Sequence, residues 1–357
     1  MLGPAFVLVA QLFTNGLESV TIGDETLASA SACMSCHAAE HAEWSGSRHA
    51  NAYTNPIFQR EYRARPEDWC VHCHAPLAAQ LEEARAGGGP LTAEGVSCAA
   101  CHVRKGRIIA ARKRAGSPHD TDVRDDFGGA SFCASCHQFN FPRFDETRLD
   151  SRTRVVGYTA HPMQNTVAEH ADGERSGEAC RSCHTSAAGH VYAGGHDPKM
   201  LERALSLAVC RDGTDVLAKV ANRGAGHRVP TGDVHRHLAL RLWRPSAPEK
   251  LREHFLIRRF RPVEDGGKEI VEDTSLPPLA AKTFRTPAAS LGGEAREAIA
   301  VELRLVYTVD EFPLHELGEP AFTVVATQRA RLRELPRCSG TKPDGVVARI
   351  HGPSPSP

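Results

Sequence analysis

The chain is poor in aromatic residues, in net charge and in long apolar runs. Its 357 residues include 13 Phe, 5 Tyr and 3 Trp, and 43 Lys+Arg balance 43 Asp+Glu. No apolar run reaches the roughly eighteen residues of a spanning helix, which excludes a multi-span membrane protein. The balanced charge provides no overall basic field, so nucleic-acid binding is not expected. An apolar fraction of 41% argues against disorder throughout the chain.

Cysteine and histidine, in contrast, are abundant and regularly placed. Ten of the twelve cysteines form five C-x-x-C pairs, and a histidine directly follows each pair. Chance predicts about 0.02 such motifs in a chain of this composition. In chain order, motifs 1 to 5 are CMSCH (Cys33, Cys36, His37), CVHCH (Cys70, Cys73, His74), CAACH (Cys98, Cys101, His102), CASCH (Cys133, Cys136, His137) and CRSCH (Cys180, Cys183, His184).

This spacing is that of covalent c-type haem attachment. The two thiols form thioethers to the vinyl groups of one haem, and the adjacent imidazole becomes the proximal ligand of the iron. Zinc sites would use C-x-x-C units in twos and would not require a histidine after each second cysteine. A disulfide scaffold or a thioredoxin-like site would not repeat one local spacing five times. The sequence therefore predicts five covalently bound c-type haems, whose macrocycles also replace aromatic side chains as core material.

The sequence divides into four segments. The apolar stretch MLGPAFVLVAQLF and the triplet Ala28-Ser29-Ala30 predict an export leader over residues 1–31, with an ordinary N-terminus as the alternative. Residues 32–202 hold every haem motif in helix and loop patterns, without a long alternating strand. Residues 203–337 alternate apolar and polar residues between Gly/Pro-rich turns, which predicts an antiparallel, immunoglobulin-like β-sandwich. Residues 338–357 are expected to form a disordered tail.

The C-terminal half contains five alternating segments, TDVLAKVANRG, HLALRLWR, HFLIRRF, IAVELRLVYTV and AFTVVATQRARL. In the fourth, period two places Glu302 and Arg304 on the face opposite to an apolar row of Ile299, Val301, Leu303 and Leu305. Cys210 and Cys338 bracket this predicted domain. In an oxidising compartment they could be joined, and two separate thiols are the alternative.

A basic segment, RKGRIIAARKRAG, lies between motifs 3 and 4 and predicts a hairpin. Its cations are Arg104, Lys105, Arg107, Arg112, Lys113 and Arg114. Two interpretations stay open for it. It is either a solvated surface turn or a docking patch for an acidic redox partner or haem propionates.

Each haem iron has a second axial position, and fourteen histidines remain beside the five proximal ones. His49 follows motif 1, where Trp44 could cover a haem face. His119 and His196 lie in loops rich in Gly and Pro, where an imidazole can be aimed freely. His227 lies on a turn between the first two predicted strands, so as a ligand it would tie the β-domain to the haems. These four are the first candidates for distal ligands.

The remaining histidines are weaker candidates. His161, His170 and His190 compete for the last distal place, with a propionate hydrogen bond or a surface position as the alternative. The others are expected to be structural or solvent-exposed, and these are His41, His72, His235, His237, His254, His315 and His351. An iron with no second ligand would bind and activate a small molecule, whereas a six-coordinate iron only transfers electrons.

These motifs and their surroundings resemble one known group, the multihaem c-type cytochromes of the cytochrome c-554 and hydroxylamine oxidoreductase superfamily. The opening CMSCHAAEHAEWSGSRHA is similar to that group's C-x-x-C-H…W-x-x-S-x-H unit. The likeness continues through CVHCHAPL, EGVSCAACH, FCASCHQF, MQNTVAEH, GHVYAGGHDP and NRGAGHRVPTG, over about residues 32–235. The resemblance implies an exported electron-transfer protein with closely stacked haem pairs, mostly bis-His ligated, and a distal role for His49.

The chain also departs from enzymes of that group. Pentahaem nitrite reductases replace one proximal histidine by lysine in a C-x-x-C-K motif, which this sequence does not contain. Hydroxylamine oxidoreductases carry eight haems and a tyrosine crosslink, which five motifs cannot supply. Some members nevertheless keep one five-coordinate haem. An enzymatic activity is therefore weakened as an interpretation and stays an alternative.

Three functional hypotheses follow. The first is an electron carrier in the periplasm or at the cell surface, which relays electrons between a redox donor protein and an acceptor protein and needs no catalytic residue. The second is a reductase or oxidase acting on a small nitrogen or sulfur compound at one five-coordinate haem. The third makes the β-domain a binding module that docks the haems onto a partner complex, a membrane or a neighbouring copy.

Overall fold

The computed structural model describes residues 20–22, 25–27, 29–145, 147, 155–185, 189–264, 267–308 and 320–338. Most of the predicted leader and nearly all of the predicted tail lie outside these residues, as do His315 and His351. Within the described ranges, none of the helices has the length and hydropathy needed to cross a membrane.

The chain forms two compact units. The first comprises residues 1–163, 177–193 and 262–268, and we call it the haem-motif unit because it contains all five C-x-x-C-H motifs. The second comprises residues 164–176, 194–261 and 269–357, and we call it the β unit. The boundary after residue 202 that the sequence favours stays a prediction.

Short helices dominate the haem-motif unit. In chain order the described helices are α1 (Ala30–Met34), α2 (Ala38–Ser45), α3 (Pro56–Ala64), α4 (Asp68–His74), α5 (Ala78–Arg85), α6 (Pro90–Ala93), α7 (Cys98–His102), α8 (Ala130–His137), α9 (Thr166–Ala171), α10 (Cys180–His184) and α11 (Pro198–Ala204). Helices α9 and α11 belong to the β unit. Local signals set several of the starts: Ser29 and Asn55 accept backbone N–H groups at the first turns of α1 and α3.

The haem-motif unit also contains strands, which corrects part of the sequence analysis. They are β1 (Val20–Ile22), β2 (Glu25–Leu27), β3 (Val103–Arg104), β4 (Arg107–Ala110), β5 (Thr121–Val123), β6 (Gln138–Phe144) and β7 (Val155–Asn165). Strand β7 has eleven residues. The expectation that residues 32–202 contain no long strand is therefore wrong. Gly157 and Pro162 interrupt the apolar alternation there, so period two is not recognisable from the sequence.

The expected basic hairpin is present. Strands β3 and β4 pair antiparallel through a two-residue loop, Lys105-Gly106, in which both residues have positive φ, 51° and 69°. Two positive φ values in a two-residue loop are typical of a type I′ turn. Strand β5 then joins the edge of β4 in parallel.

The β unit confirms that antiparallel sheets follow the helical region. Its strands are β8 (Leu205–Asp212), β9 (Asp215–Asn222), β10 (His237–Trp243), β11 (Arg252–Pro262), β12 (Lys268–Asp273), β13 (Ala281–Pro287), β14 (Ala298–Val306) and β15 (Phe322–Arg331). One sheet has the order β12-β11-β10-β14-β15, and the other has the order β13-β9-β8. The packing of these sheets as a sandwich stays a prediction.

Strand β14 is buried on both faces, unlike the one-sided pattern expected from its sequence. Ile299 and Leu303 are 1% and 0% exposed, and Glu302 on the other face is only 9% exposed. The Arg304 guanidinium donates to the Glu302 carboxylate, and Arg241 of the neighbouring β10 lies 3.7 Å from it. The ion pairs therefore allow a strand whose alternating sequence predicts one exposed face to be buried on both faces.

The two cysteines outside the haem motifs are joined. Cys210, on β8, forms a disulfide with Cys338, and their Cα atoms are 5.2 Å apart. The backbone N–H groups of Arg211 and Cys338 donate to Pro336 and Arg211 carbonyls at 2.8 and 3.0 Å. The end of the described chain is thus held along β8 by both covalent and backbone bonds.

Candidate haem-binding site

The haem motifs lie on helices. Motifs 2 to 5 are within α4, α7, α8 and α10, and in each case the motif histidine is the last helical residue. In motif 1, His37 is instead the N-cap residue of α2. Because helical residues i, i+3 and i+4 share a face, both thiols and the imidazole of one motif can meet one macrocycle.

Three motif histidines are oriented by backbone carbonyl groups. The Nδ1 atoms of His74, His102 and His184 donate to the carbonyl oxygens of Ala52 at 2.7 Å, Ile109 at 3.0 Å and Ala193 at 2.6 Å. A carbonyl accepts only, so the proton is on Nδ1 and the Nε2 lone pair is available to a metal. This is the arrangement that orients metal-ligating histidines in proteins.

Three other histidines lie opposite motif histidines. The ring centroids of His119 and His37 are 6.3 Å apart. Those of His49 and His137 are also 6.3 Å apart, and those of His190 and His102 are 6.2 Å apart. The structure therefore brings three of the seven distal candidates to motifs 1, 4 and 3.

These separations fit an iron held between two imidazoles. With metal–nitrogen bonds of about 2 Å, such an iron separates the ring centroids by roughly 6.3 Å. Rings in van der Waals stacking contact would lie much closer, as Phe58 and His74 do at 3.7 Å. No cluster of three or more His, Cys, Asp or Glu that could hold a bare metal ion occurs in the described part of the chain. The paired imidazoles thus match haem iron, whose other four ligands come from the macrocycle.

Burial favours the neutral, metal-binding form of two of these imidazoles. Burial lowers the pKa of His49, and burial likewise lowers the pKa of His102. Nδ1 of His119 lies 3.3 Å from the hydroxyls of Ser117 and Thr121. The backbone N–H of His190 donates to Glu43 at 2.7 Å, and its buried Nδ1 has no hydrogen-bond partner.

The remaining distal candidates lie elsewhere. His196 stacks on Tyr307 with ring centroids 3.8 Å apart, and Nδ1 of His227 donates to the Arg228 carbonyl at 2.8 Å; both histidines belong to the β unit. His161 is on β7, where its backbone N–H donates to Thr159, and His170 is in the last turn of α9. Their roles as ligands stay predictions.

Cysteines of different motifs are neighbours. The thiols of Cys33 and Cys98 share a hydrogen bond, which places motifs 1 and 3 side by side. The thiols of Cys73 and Cys136 do the same for motifs 2 and 4. Cys133 and Cys180 likewise connect motif 4 with motif 5. These thiol contacts pair motif 1 with motif 3 and join motifs 2, 4 and 5 in a series, and Cys101 of motif 3 also interacts electrostatically with Cys136 of motif 4.

Three of the six cations of the basic segment form ion pairs. Arg107 forms a two-bond ion pair with Asp122, and Arg114 lies 3.4 Å from Glu40. Lys113 is 3.8 Å from Asp120. The Arg104 guanidinium donates to the Ala100 and Val103 carbonyls. This neutralisation weakens the segment as a patch for an acidic partner.

Several contacts of the site carry no signal in the sequence. The carbonyl acceptors are backbone atoms, which any residue supplies, so Ala52, Ile109 and Ala193 could not be recognised. The ring of Phe58, on α3, stacks on His74 at 13°, and the ring of Tyr192 packs edge-on against His49 at 4.8 Å. Burial raises the pKa of Tyr192 to about 12, so the phenol stays neutral.

Two comparisons of the chain with known proteins found similarities. Residues 32–103 match the model of a family described as cytochrome c554 and c-prime. No curated protein sequence matches the chain. The crystal structure of a penta-heme cytochrome c552 from Thermochromatium tepidum superposes with a TM-score of 0.62 at 20% identity, covering 85% of this chain and 98% of that one. At this identity the likeness shows a shared fold.

The family match covers motifs 1 to 3, and the shared fold extends over most of the chain. The family match is consistent with c-type haem attachment at these three motifs. Together with the five C-x-x-C-H motifs, it shows that the N-terminal part of the chain is similar to multihaem c-type cytochromes.

Proposed function

We propose that the protein is an extracytoplasmic electron carrier with five covalently bound haems, most of them ligated by two histidines. It relays electrons between a donor protein and an acceptor protein. The attachment residues are the ten motif cysteines, and the proximal ligands are His37, His74, His102, His137 and His184.

The three imidazole pairs are the observation that carries this proposal. His119, His49 and His190 face His37, His137 and His102 at the separation that a bis-imidazole iron requires. A six-coordinate iron has no open position for a substrate, so these three sites serve electron transfer. His161, His196 and His227 remain candidates for the other distal positions.

The residues of the chain orient and insulate the cofactors. Haem, when bound, supplies an iron that changes its charge by one electron with little rearrangement. The carbonyls of Ala52, Ile109 and Ala193 fix three imidazole planes through Nδ1. The cysteine contacts indicate which motifs are adjacent. Adjacent motifs would hold adjacent haems, which supports direct electron transfer within the pair 1 and 3 and along the series 2, 4 and 5.

The disulfide supports the location outside the cytoplasm. Structural disulfides form and persist in oxidising compartments and are rare in the cytosol. The bond between Cys210 and Cys338 is therefore consistent with export, as covalent haem attachment is. Cell fractionation with haem staining tests this point, and we expect the haem-stained band in the periplasmic or surface fraction.

Low-temperature EPR of the oxidised protein tests the ligation. We expect low-spin signals for the haems of motifs 1, 3 and 4, and His119→Ala, His49→Ala and His190→Ala should each convert one low-spin haem to high spin. His254→Ala, in the β unit, is the matched control and should change no signal. A high-spin haem in the wild type that shifts with nitrite, hydroxylamine or sulfite would instead favour the reductase or oxidase. If His119→Ala, His49→Ala and His190→Ala all leave the spectrum unchanged, the proposed ligation is wrong.

A further inference from the structure

Residues 190–193 form an irregular segment, which we call the 190–193 segment, and it contacts more than one haem site. His190 faces His102 of motif 3, with ring centroids 6.2 Å apart. Three residues later, the Ala193 carbonyl accepts the Nδ1 proton of His184 of motif 5 at 2.6 Å. One short segment thus supplies an imidazole to one motif and an orienting carbonyl to another.

Tyr192, between these two contacts, reaches a third site. Its ring packs edge-on against the ring of His49, with centroids 4.8 Å apart and planes at 62°. His49 in turn faces His137 of motif 4. The side chain of the intervening Val191 is 43% exposed. The 190–193 segment is therefore shared by the sites of motifs 3, 4 and 5, so it contacts both the 1 and 3 pair and the 2, 4 and 5 series.

The backbone of Tyr192 is in an unfavourable conformation. Its φ is 48°, in the left-handed region, where a Cβ atom crowds the following carbonyl. Glycine adopts this conformation without steric cost. A tyrosine at such a position needs a compensating contact, and the edge-on packing against His49 is that contact. Strained residues of this kind persist where the surrounding structure determines their position.

We propose that Tyr192 is a positioning residue: its ring fixes the plane of the His49 imidazole, and its left-handed backbone holds His190 and Ala193 in register with motifs 3 and 5. The inference rests on the proposed bis-His ligation. Groups that fix the plane of a ligating imidazole alter the ligand field and the potential of its iron. Loss of the Tyr192 ring should therefore alter the ligand field and potential of one haem. Loss of its left-handed backbone conformation should alter those of several haems.

Three substitutions separate the ring of Tyr192 from its left-handed backbone conformation. Tyr192→Phe keeps the ring and the backbone. Tyr192→Gly removes the ring but allows the positive φ. Tyr192→Val removes the ring and, because its side chain is β-branched, also disfavours the positive φ. Each is made in the full-length haem-loaded protein and measured by low-temperature EPR and by potentiometric titration of each haem.

Two reference variants assign the signals. His49→Ala identifies the haem of motif 4, and His190→Ala identifies the haem of motif 3. We expect Tyr192→Phe to match the wild type in g values and potentials. Tyr192→Gly should shift only the His49-dependent haem, and Tyr192→Val should shift both the His49-dependent and the His190-dependent haems.

Two results would overturn the inference. The first is a Tyr192→Gly protein whose His49-dependent signal and potential equal those of Tyr192→Phe. The second is a Tyr192→Val protein that shifts no more haems than Tyr192→Gly. If Tyr192→Val does not accumulate, the comparison of Gly with Phe still decides the role of the ring. A wild-type spectrum without a His49-dependent low-spin haem contradicts the proposed ligation and this inference together.

Discussion

The haem-motif unit and the β unit differ in what fills their interiors. Among the described residues, the largest fully buried side chains of the β unit are all aliphatic: Leu238, Leu240, Leu242, Leu256, Leu291, Ile299 and Leu303. The corresponding set in the haem-motif unit is smaller and half polar: Val71, Leu77, Glu67 and Gln80. The β unit therefore carries an aliphatic core of its own, whereas that of the haem-motif unit is smaller and would be extended by the proposed haems.

The same contrast appears in the backbone. Strands β10 and β14 of the β unit are hydrogen-bonded along both edges within a five-stranded sheet. In the haem-motif unit, helices α7 and α10 have five residues each, which is too short for independent stability. Short helices persist where something else fixes them, and a haem bonded through both cysteines of a motif does so. The comparison teaches that covalent cofactors can take the place of an aliphatic core.

The largest effect is expected when haem attachment is prevented. In a chain produced without the attachment machinery, the haem-motif unit should lose its protection from hydrogen exchange because its interior is incomplete. Strands β10 and β14 should keep theirs. Exchange mass spectrometry of the haem-free and haem-loaded chains measures both. Equal protection of α4, α7 and α8 in the two forms would contradict the comparison.

Removal of the disulfide should have the next largest effect, confined to the β unit. The bond between Cys210 and Cys338 closes a loop with a sequence separation of 128 residues. The double variant Cys210→Ala, Cys338→Ala should lower the free energy of unfolding of this unit by about 2 to 5 kcal/mol. Denaturant titration followed by circular dichroism in the far ultraviolet measures the loss. The haem absorption spectrum serves as the control and should not change, and an unchanged unfolding midpoint would show that the bond adds little.

A core truncation sharpens the claim that the β unit has a self-sufficient interior. Leu240, on β10, is 1% exposed and lies opposite Leu303 of β14. Leu240→Ala should cost about 2 to 5 kcal/mol through lost burial and a cavity. Val271→Ala, at a position 50% exposed on the edge strand β12, is the matched control and should cost less than about 0.5 kcal/mol. Similar unfolding midpoints for the two variants would contradict this view of the core.

The smallest effect is a dependence of β-unit stability on pH. Burial lowers the pKa values of His237 and His254 below the ordinary value of 6.5. The unfolded state then binds protons more readily, so the free energy of unfolding should decrease as the pH falls below about 6.5. The variant His237→Gln, His254→Gln should show a weaker decrease between about pH 7.5 and 5.5. Parallel slopes for the variant and the wild type would assign the acid sensitivity to other groups.

The strands of the β unit were predictable because alternation is a local property. The segments around β9, β10, β11, β14 and β15 all match strands of the structure. Strand β7 was not predictable, since Gly157 and Pro162 hide its period. The alternation of apolar and polar residues also did not predict that both faces of β14 are buried. A buried Glu302 is tolerated only when Arg241 and Arg304 lie beside it. That placement comes from neighbouring residues in the sheet.

The histidines show the same division. The sequence favours His49 because it follows motif 1, and it favours His119 because it lies in a loop rich in Gly and Pro. In the structure, both face motif histidines. His190 was one of three candidates for the last distal position, which the sequence did not rank. Its approach to His102 depends on the conformation of the 190–193 segment, which the sequence does not reveal. His196 and His227 occupy similar Gly-rich loops and have other neighbours. A loop that leaves an imidazole free to adopt many orientations does not determine which residue the imidazole faces.

The sequence by itself predicts the cofactor class and the attachment residues, and it determined the order of helical and β regions. These depend on residues three or four positions apart, whose geometry is fixed by the local backbone. Only the tertiary structure decided which imidazoles face each other, which carbonyls orient them and which motifs are adjacent. Those contacts join residues as distant as His49 and His137 or His102 and His190, and no local pattern encodes them because any loop of suitable length could close the same gap.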